Sequence, residues 1–166
     1  MKTGVVPSFD GEYFFLSNFY EAPFEWRNHE FPTAEHAFQA AKAYAMPDAR
    51  LPDMTSYMNS VIMAESPTRA KRLGRIVPLD VKEWERIKVQ YMREIVHAKF
   101  AQCQGLAGKL INTGAMMLVE GNTWGDKFWG RCLDKDTGKM VGLNTLGAIL
   151  MEERGYWLHS DFKDKK

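Results

Sequence analysis

A chain of 166 residues and 19.1 kDa has the length of one domain, enough to bury about two-thirds of its unfolded surface without a disulfide or metal staple. Its 45% hydrophobic and 13% aromatic residues exclude a disordered polymer. A formal net charge of +1 removes the general electrostatic case for a nucleic-acid coat or a membrane-surface protein, so any anion has to be gripped locally.

Taken in chain order, Phe14-Phe15-Leu16 and Phe24-Glu25-Trp26 read as short aromatic strands, the second closed by a turn at Asn28-His29. Thr33 is the candidate N-cap of a first helix, whose apolar positions Ala34, Ala37, Phe38, Ala41, Tyr44 and Ala45 recur with helical period. Asp53 is expected to cap a second helix carrying Tyr57, Met58 and Val61. Ser66-Pro67 opens a third, which Gly74 is expected to end. Asp80-Val81-Lys82-Glu83 is a capping box, with Trp84, Ile87, Tyr91, Ile95 and Ala98 on one face behind it. Leu106 to Ile111 is a further short helix, Met116 to Val119 a strand, and Asp134 to Gly138 a turn. Asn144 is the expected cap of a last helix that Gly155 stops.

These elements give an α+β fold, predominantly helical with short strands, as one domain over residues 1–158 and a polar tail over 159–166 that frays. Cys103 and Cys132 form neither a metal-spaced pair nor a disulfide framework, which points to a reducing compartment. Met1 to Pro7 lacks an apolar stretch of signal-peptide length, and no run approaches the ~20 residues of a membrane span. A cytoplasmic protein without a membrane partner is expected.

Familiar catalytic motifs are missing. His29-Glu30 has no second histidine at metalloprotease spacing, and Gly105 to Lys109 is too short a gap for a P-loop. Four scattered histidines supply no zinc ligand set.

Three groups of residues remain as carriers of chemistry. Glu35, Gln39 and Lys42, at i, i+4 and i+7, share one face of the first helix. That spacing fits first a solvated stripe with a Glu–Lys pairing; the alternative is a carboxylate and an amine converging on a cleft as acid/base and nucleophile. In the segment Glu120 to Arg131, Trp124, Asp126 and Trp129 sit among glycines after a strand. The indoles are either core anchors or a platform for a flat heterocycle, with Asp126 aimed at a sugar or a water. Arg69, Lys71, Arg72 and Arg75 form either a solvated face or a local phosphate grip. Trp84 reads as core by periodicity, and His36 and His97 as hydrogen-bonded structural histidines.

Together these segments resemble the NADAR (YbiA-like) N-glycosidase family. The likeness is carried by Phe14 to Tyr20, Phe31 to His36 with Gln39-Ala40 and Lys42, Ala70-Lys71, Gly74-Arg75, Trp84, Lys99-Phe100, Leu118 to Glu120, Trp124 to Asp126, Trp129-Gly130, and Gly142 to Asn144 with Leu146-Gly147. Those stretches run in order from about Phe9 to Gly155. Asn28 stands where a glycine is common and Cys103 where an asparagine is common; asparagine tolerates the left-handed turn.

The resemblance implies an α+β fold particular to the family and cleavage of the bond between a phosphorylated ribose and a base. In the family that substrate is a riboflavin-pathway phosphoribosylamino-pyrimidine, or ADP-ribose on guanine in nucleic acid. Carried over by position, Glu35, Lys42 and Asp126 become catalytic. Asn18, Gln39, Trp84, Trp124 and Trp129 become substrate-binding, with Lys71 and Arg75 as phosphate contacts. No metal, redox cofactor or obligate protein partner is implied. A non-catalytic ADP-ribose-binding module is the alternative of another class, and the joint presence of Glu35, Lys42 and Asp126 argues against it. For Lys42, nucleophilic capture of C1 as a Schiff base requires an unprotonated amine, which burial favours and Glu35 opposes.

Overall fold

The computed structural model describes residues 2–48 and 50–163, with side chains as far as His159; the last three residues of the expected tail lie outside the described residues. The chain forms two compact units, the continuous stretch Asn18–Cys103 and a second made of residues before and after it.

The continuous unit begins with an antiparallel hairpin. Strand β1, Val5–Val6, belongs to the other unit; β2, Glu21–Trp26, pairs here with β3, His29–Thr33, setting Phe24 opposite Phe31 and Trp26 opposite His29. Alternation buries Ala22, Phe24 and Trp26 on one face of β2. The turn residues are Arg27 and Asn28, both left-handed at φ 52° and 63°, one residue earlier than the sequence suggests.

From β3 the chain passes directly into α1, Ala34–Ala40, where Thr33 Oγ1 accepts the His36 amide at 3.3 Å as expected of an N-cap. The helix tightens into a 3-10 turn over Ala41–Ala45. Then follow α2, Leu51–Ile62; α3, Pro67–Ile76; and α4, Val81–Gln102. Two expectations about their ends change. Asp53 lies one turn inside α2, accepting from the Arg50 amide at 3.1 Å. Gly74 lies inside α3, without the left-handed φ that would stop it. Ser66 and Asp80 cap α3 and α4 through the amides of Arg69 and Glu83.

In the discontinuous unit, Gly11–Leu16 forms a 3-10 turn where the aromatic run suggests a strand, closed by Tyr13 N–H to Asp10 O and Ser17 N–H to Phe14 O. Phe15 and Leu16 are both buried; two adjacent inward side chains suit a turn better than a strand's alternation. Strand β1 pairs in parallel with β4, Met117–Leu118. A three-stranded sheet joins β5, Gly121–Asn122, to β6, Arg131–Leu133, and β7, Met140–Val141. Helix α5 covers Leu106–Ile111 and α6 covers Thr145–Lys163. Gly155 does not end α6, because it too lacks the left-handed φ of a stop, and the helix runs through His159 to Lys163. Asn144, at φ 57°, precedes α6, but its side chain ties Leu118 O and the Glu120 amide instead of capping.

No helix among the described residues is long and apolar enough to cross a membrane.

Candidate active site

The stripe Glu35, Gln39, Lys42 is not a solvated face. Every residue of α1 is buried, because α2, α3 and α4 all pack around it. Glu35 is 5% exposed, and Gln39 Nε2 donates to its Oε1 at 2.8 Å. The Glu35 amide donates to Asn18 O at 2.9 Å, so Asn18 fixes the first turn of α1 through its main chain. Its side-chain amide faces Met92 Sδ at 3.6 Å.

Gly74 completes the cluster. Lys42 Nζ donates to Gly74 O at 2.6 Å, and a Cβ at Gly74 would fall 1.8 Å from Gln39 Oε1. Only a residue without a side chain lets α3 approach α1 this closely. The approach leaves Gln39 Oε1 buried without a partner, a polar atom held in place with nothing to accept from. Tyr57 OH fixes the same residue from α2 by donating to Gln39 O at 2.8 Å.

Electrostatics follows from this burial. Desolvation raises the Glu35 carboxyl above its ordinary range, against the opposing charges of Lys71, Lys42 and Arg75 and the Gln39 hydrogen bond. Desolvation lowers the Lys42 ammonium, which Glu35 opposes and Arg75 and Lys71 reinforce. The tension at Lys42 is therefore decided by burial. Both members of the pair move toward their neutral forms.

The basic run of α3 divides. Lys71 and Arg75, at i and i+4, are the two cations that act on Glu35 and Lys42, with Lys71 half-buried and Arg75 exposed. Arg69 and Arg72 are exposed and act on neither. Trp84, at the start of α4, is buried and packs on Phe38 with ring centroids 5.1 Å apart. Lys42 Nζ lies 5.8 Å from its ring centre. The indole is thus a core residue that also borders the Lys42 amine. His36 is structural: Nε2 donates to Ala64 O at 3.1 Å, leaving Nδ1 to accept from Thr33 Oγ1 at 2.8 Å, a neutral tautomer that burial favours.

Asn18, Glu35, Gln39, Lys42, Lys71, Arg75 and Trp84 therefore lie in the continuous unit, and Trp124, Asp126 and Trp129 in the discontinuous one. There Asp126 Oδ1 accepts the amides of Phe128 and Trp129 at 3.0 and 2.9 Å, while Asn122 holds the Asp126 main chain on both sides. Trp124 is 65% exposed and Trp129 half-buried, so Trp124 is no core anchor.

Sequence reasoning misses Gly74 and Tyr57. In the sequence the first reads as a helix stop and the second as an apolar position; only the packing of three helices around Gln39 gives them their roles.

A family model for the NADAR domain matches residues 8–156. The chain is 37% identical over 141 residues to the N-glycosidase YbiA of Escherichia coli (strain K12), covering 84% of this chain and 78% of that protein. It is 36% identical over 150 residues to a riboflavin biosynthesis protein of Vibrio vulnificus (strain YJ016), covering 87% of this chain and 36% of that one. The NMR structure of E. coli YbiA superimposes with a TM-score of 0.74 at 34% identity, covering 96% of this chain and 88% of the other. In sequence and in fold, the chain belongs to the NADAR domain family.

Proposed function

We propose that this protein is an N-glycosidase that hydrolyses the C1–N bond between a phosphorylated ribose and a base, its substrate being a phosphoribosylamino-pyrimidine of the riboflavin pathway. The observation that carries the reading is the pairing of buried Glu35 with half-buried Lys42, held by Gln39 and Gly74 O, with both groups pushed toward neutrality beside two further cations. A carboxyl raised in this way holds a proton nearer neutral pH, and an amine lowered in this way exposes a lone pair there. Relatives named for N-glycosidase activity and riboflavin biosynthesis support the same chemistry.

In this mechanism the glycosylamine opens to an imine at C1, and Lys42 Nζ adds to it. Glu35 passes its proton to the departing amine, which leaves with the electron pair of the C1–N bond. The lysine–sugar Schiff base that remains takes up water, releasing the sugar phosphate and restoring Lys42. Gly74 O orients the Lys42 amine, and Gln39 orients the Glu35 carboxyl. Lys71 and Arg75 attract the phosphate, and Trp84 forms the apolar wall beside Lys42. In the other unit, Asp126 shapes the Trp124–Trp129 loop by accepting the Phe128 and Trp129 amides, and Trp124 presents an exposed indole there.

The test is incubation with the phosphoribosylamino-pyrimidine, following the freed base and sugar phosphate, with and without borohydride. Wild-type protein is expected to release both and, with borohydride, to gain a covalent sugar-phosphate adduct. Lys42→Ala is expected to lose at least about 10³-fold in rate and the whole adduct. Equal release by wild type and Lys42→Ala overturns the lysine's role. Cleavage of ADP-ribosylated guanine alone transfers the activity to that substrate, and ADP-ribose binding without cleavage of either makes the protein a binding module.

A further inference from the structure

The discontinuous unit holds a cavity of about 570 Å³ that involves none of the residues placed in the catalytic cluster. Ile111 of α5 and Met151 and Leu158 of α6 give it apolar walls; Lys2, Asn112 and Arg154 supply its polar groups. Arg154 is 9% exposed, and its Nη1 donates to Thr113 Oγ1 at 2.7 Å and to Met116 O at 2.9 Å. Those two bonds use both Nη1 hydrogens and fix the guanidinium plane. The remaining edge, Nε–H and the two Nη2–H groups, meets no acceptor among the described residues, and no carboxylate among them pairs with it.

No carboxylate among the described residues offsets the burial of Arg154, which pushes the guanidinium below its ordinary range, and the unused edge is not among the buried unpartnered atoms, so it stays accessible to a ligand. The unused Nε/Nη2 edge is the planar fork that matches the two oxygens of a carboxylate. The surrounding walls favour an apolar body on the ligand. A phosphate dianion, by contrast, would leave most of its oxygens facing methyl and methylene groups. We propose that this cavity is a second ligand site, which binds a small carboxylate with an alkyl or aromatic body. The carboxylate sits on the Nε/Nη2 edge of Arg154, and the body lies against Ile111, Met151 and Leu158.

The experiment titrates the full chain with octanoate, acetate and inorganic phosphate, reading the methyl NMR signals of Met151 and Leu158 and the melting temperature. Octanoate is expected to shift those methyls saturably and to raise the melting temperature, since it binds the folded state alone. Acetate, which lacks the apolar body, is expected to bind at least about tenfold more weakly, and phosphate not saturably. Arg154→Gln is expected to weaken octanoate by at least about tenfold. That variant also unsettles Thr113 and Met116, so Met151→Trp, which fills the cavity and keeps Arg154, has to weaken octanoate as well. Unsaturable octanoate shifts overturn the proposal, as does undiminished binding in Met151→Trp or an equal response to acetate and phosphate.

Discussion

Glu35 is buried and Lys42 half-buried, and for each of them burial disfavours the charged form. For Glu35 the folded state holds its proton more tightly than the unfolded chain does. Stability from this group is therefore greatest below the ordinary carboxylate range and declines as pH rises through the raised folded value. Glu35→Gln removes the titration and keeps the shape. It is expected to melt at a higher temperature than wild type near pH 8, the gap closing as pH falls toward about 4.5. Thermal melts across that range check the sign; a gap that widens toward acid sinks the raised carboxyl. The same variant separates the roles in catalysis. In the proposed mechanism the pair carries one shared proton, so wild-type kcat/KM is expected to be bell-shaped in pH, with limbs that belong to the pair. In Glu35→Gln only Lys42 of that pair still titrates, and the residual activity is expected to rise with pH and lose the alkaline fall. An alkaline limb that persists in the variant assigns that limb to another group.

Among the elements, the contact between α1 and α3 makes the cluster, and Gly74 permits it. Gly74→Ala pushes into Gln39, whose Oε1 and Cδ lie 1.8 and 2.7 Å from the new Cβ. Because Gln39 also holds Glu35, the variant is expected to cost about 1–3 kcal/mol of stability and a larger share of activity. Adding Gln39→Ala removes those two atoms and leaves Gln39 Cβ 3.2 Å away, so the double variant is expected to regain most of the stability and little of the activity. Urea unfolding with turnover on both variants and wild type measures that split; no recovery of stability in the double variant refutes the proposed clash. This contact also marks the limit of what the sequence discloses. The caps Thr33, Ser66 and Asp80 are legible because a capping bond closes within three residues. The register of Glu35, Gln39 and Lys42 is legible because helical period is local. Their burial is not, since the polar stripe of α1 looks solvent-facing until α2, α3 and α4 enclose it. Gly74 and Gly155 mislead for a related reason: a glycine stops a helix only where φ turns positive, and neither does.

At the scale of the whole molecule, charge discriminates between the substrate classes open to this family. A net charge of +1 leaves no broad field to hold a polyanion, and the cations that act on Glu35 and Lys42 are Lys71 and Arg75, i and i+4 on one helix. Two local cations suit a single terminal phosphate. A protein that gripped nucleic acid through six to ten phosphates would lose roughly 10³-fold or more in affinity between about 50 and about 200 mM salt. On the phosphoribosylamino-pyrimidine, kcat/KM is expected to fall by no more than about threefold over the same range, because one phosphate against two nearby charges is screened only weakly at contact distance. Lys71→Ala and Arg75→Ala are each expected to flatten even that dependence and to raise KM, since both are proposed to attract the phosphate; because both also act on Glu35 and Lys42, the pH profile of kcat is expected to move with them. Steady-state kinetics at both salt concentrations decides the matter. A steep loss of activity with salt, shared by wild type and both variants, shows that the phosphate is not held by Lys71 and Arg75, and with that their assignment as the local phosphate grip fails.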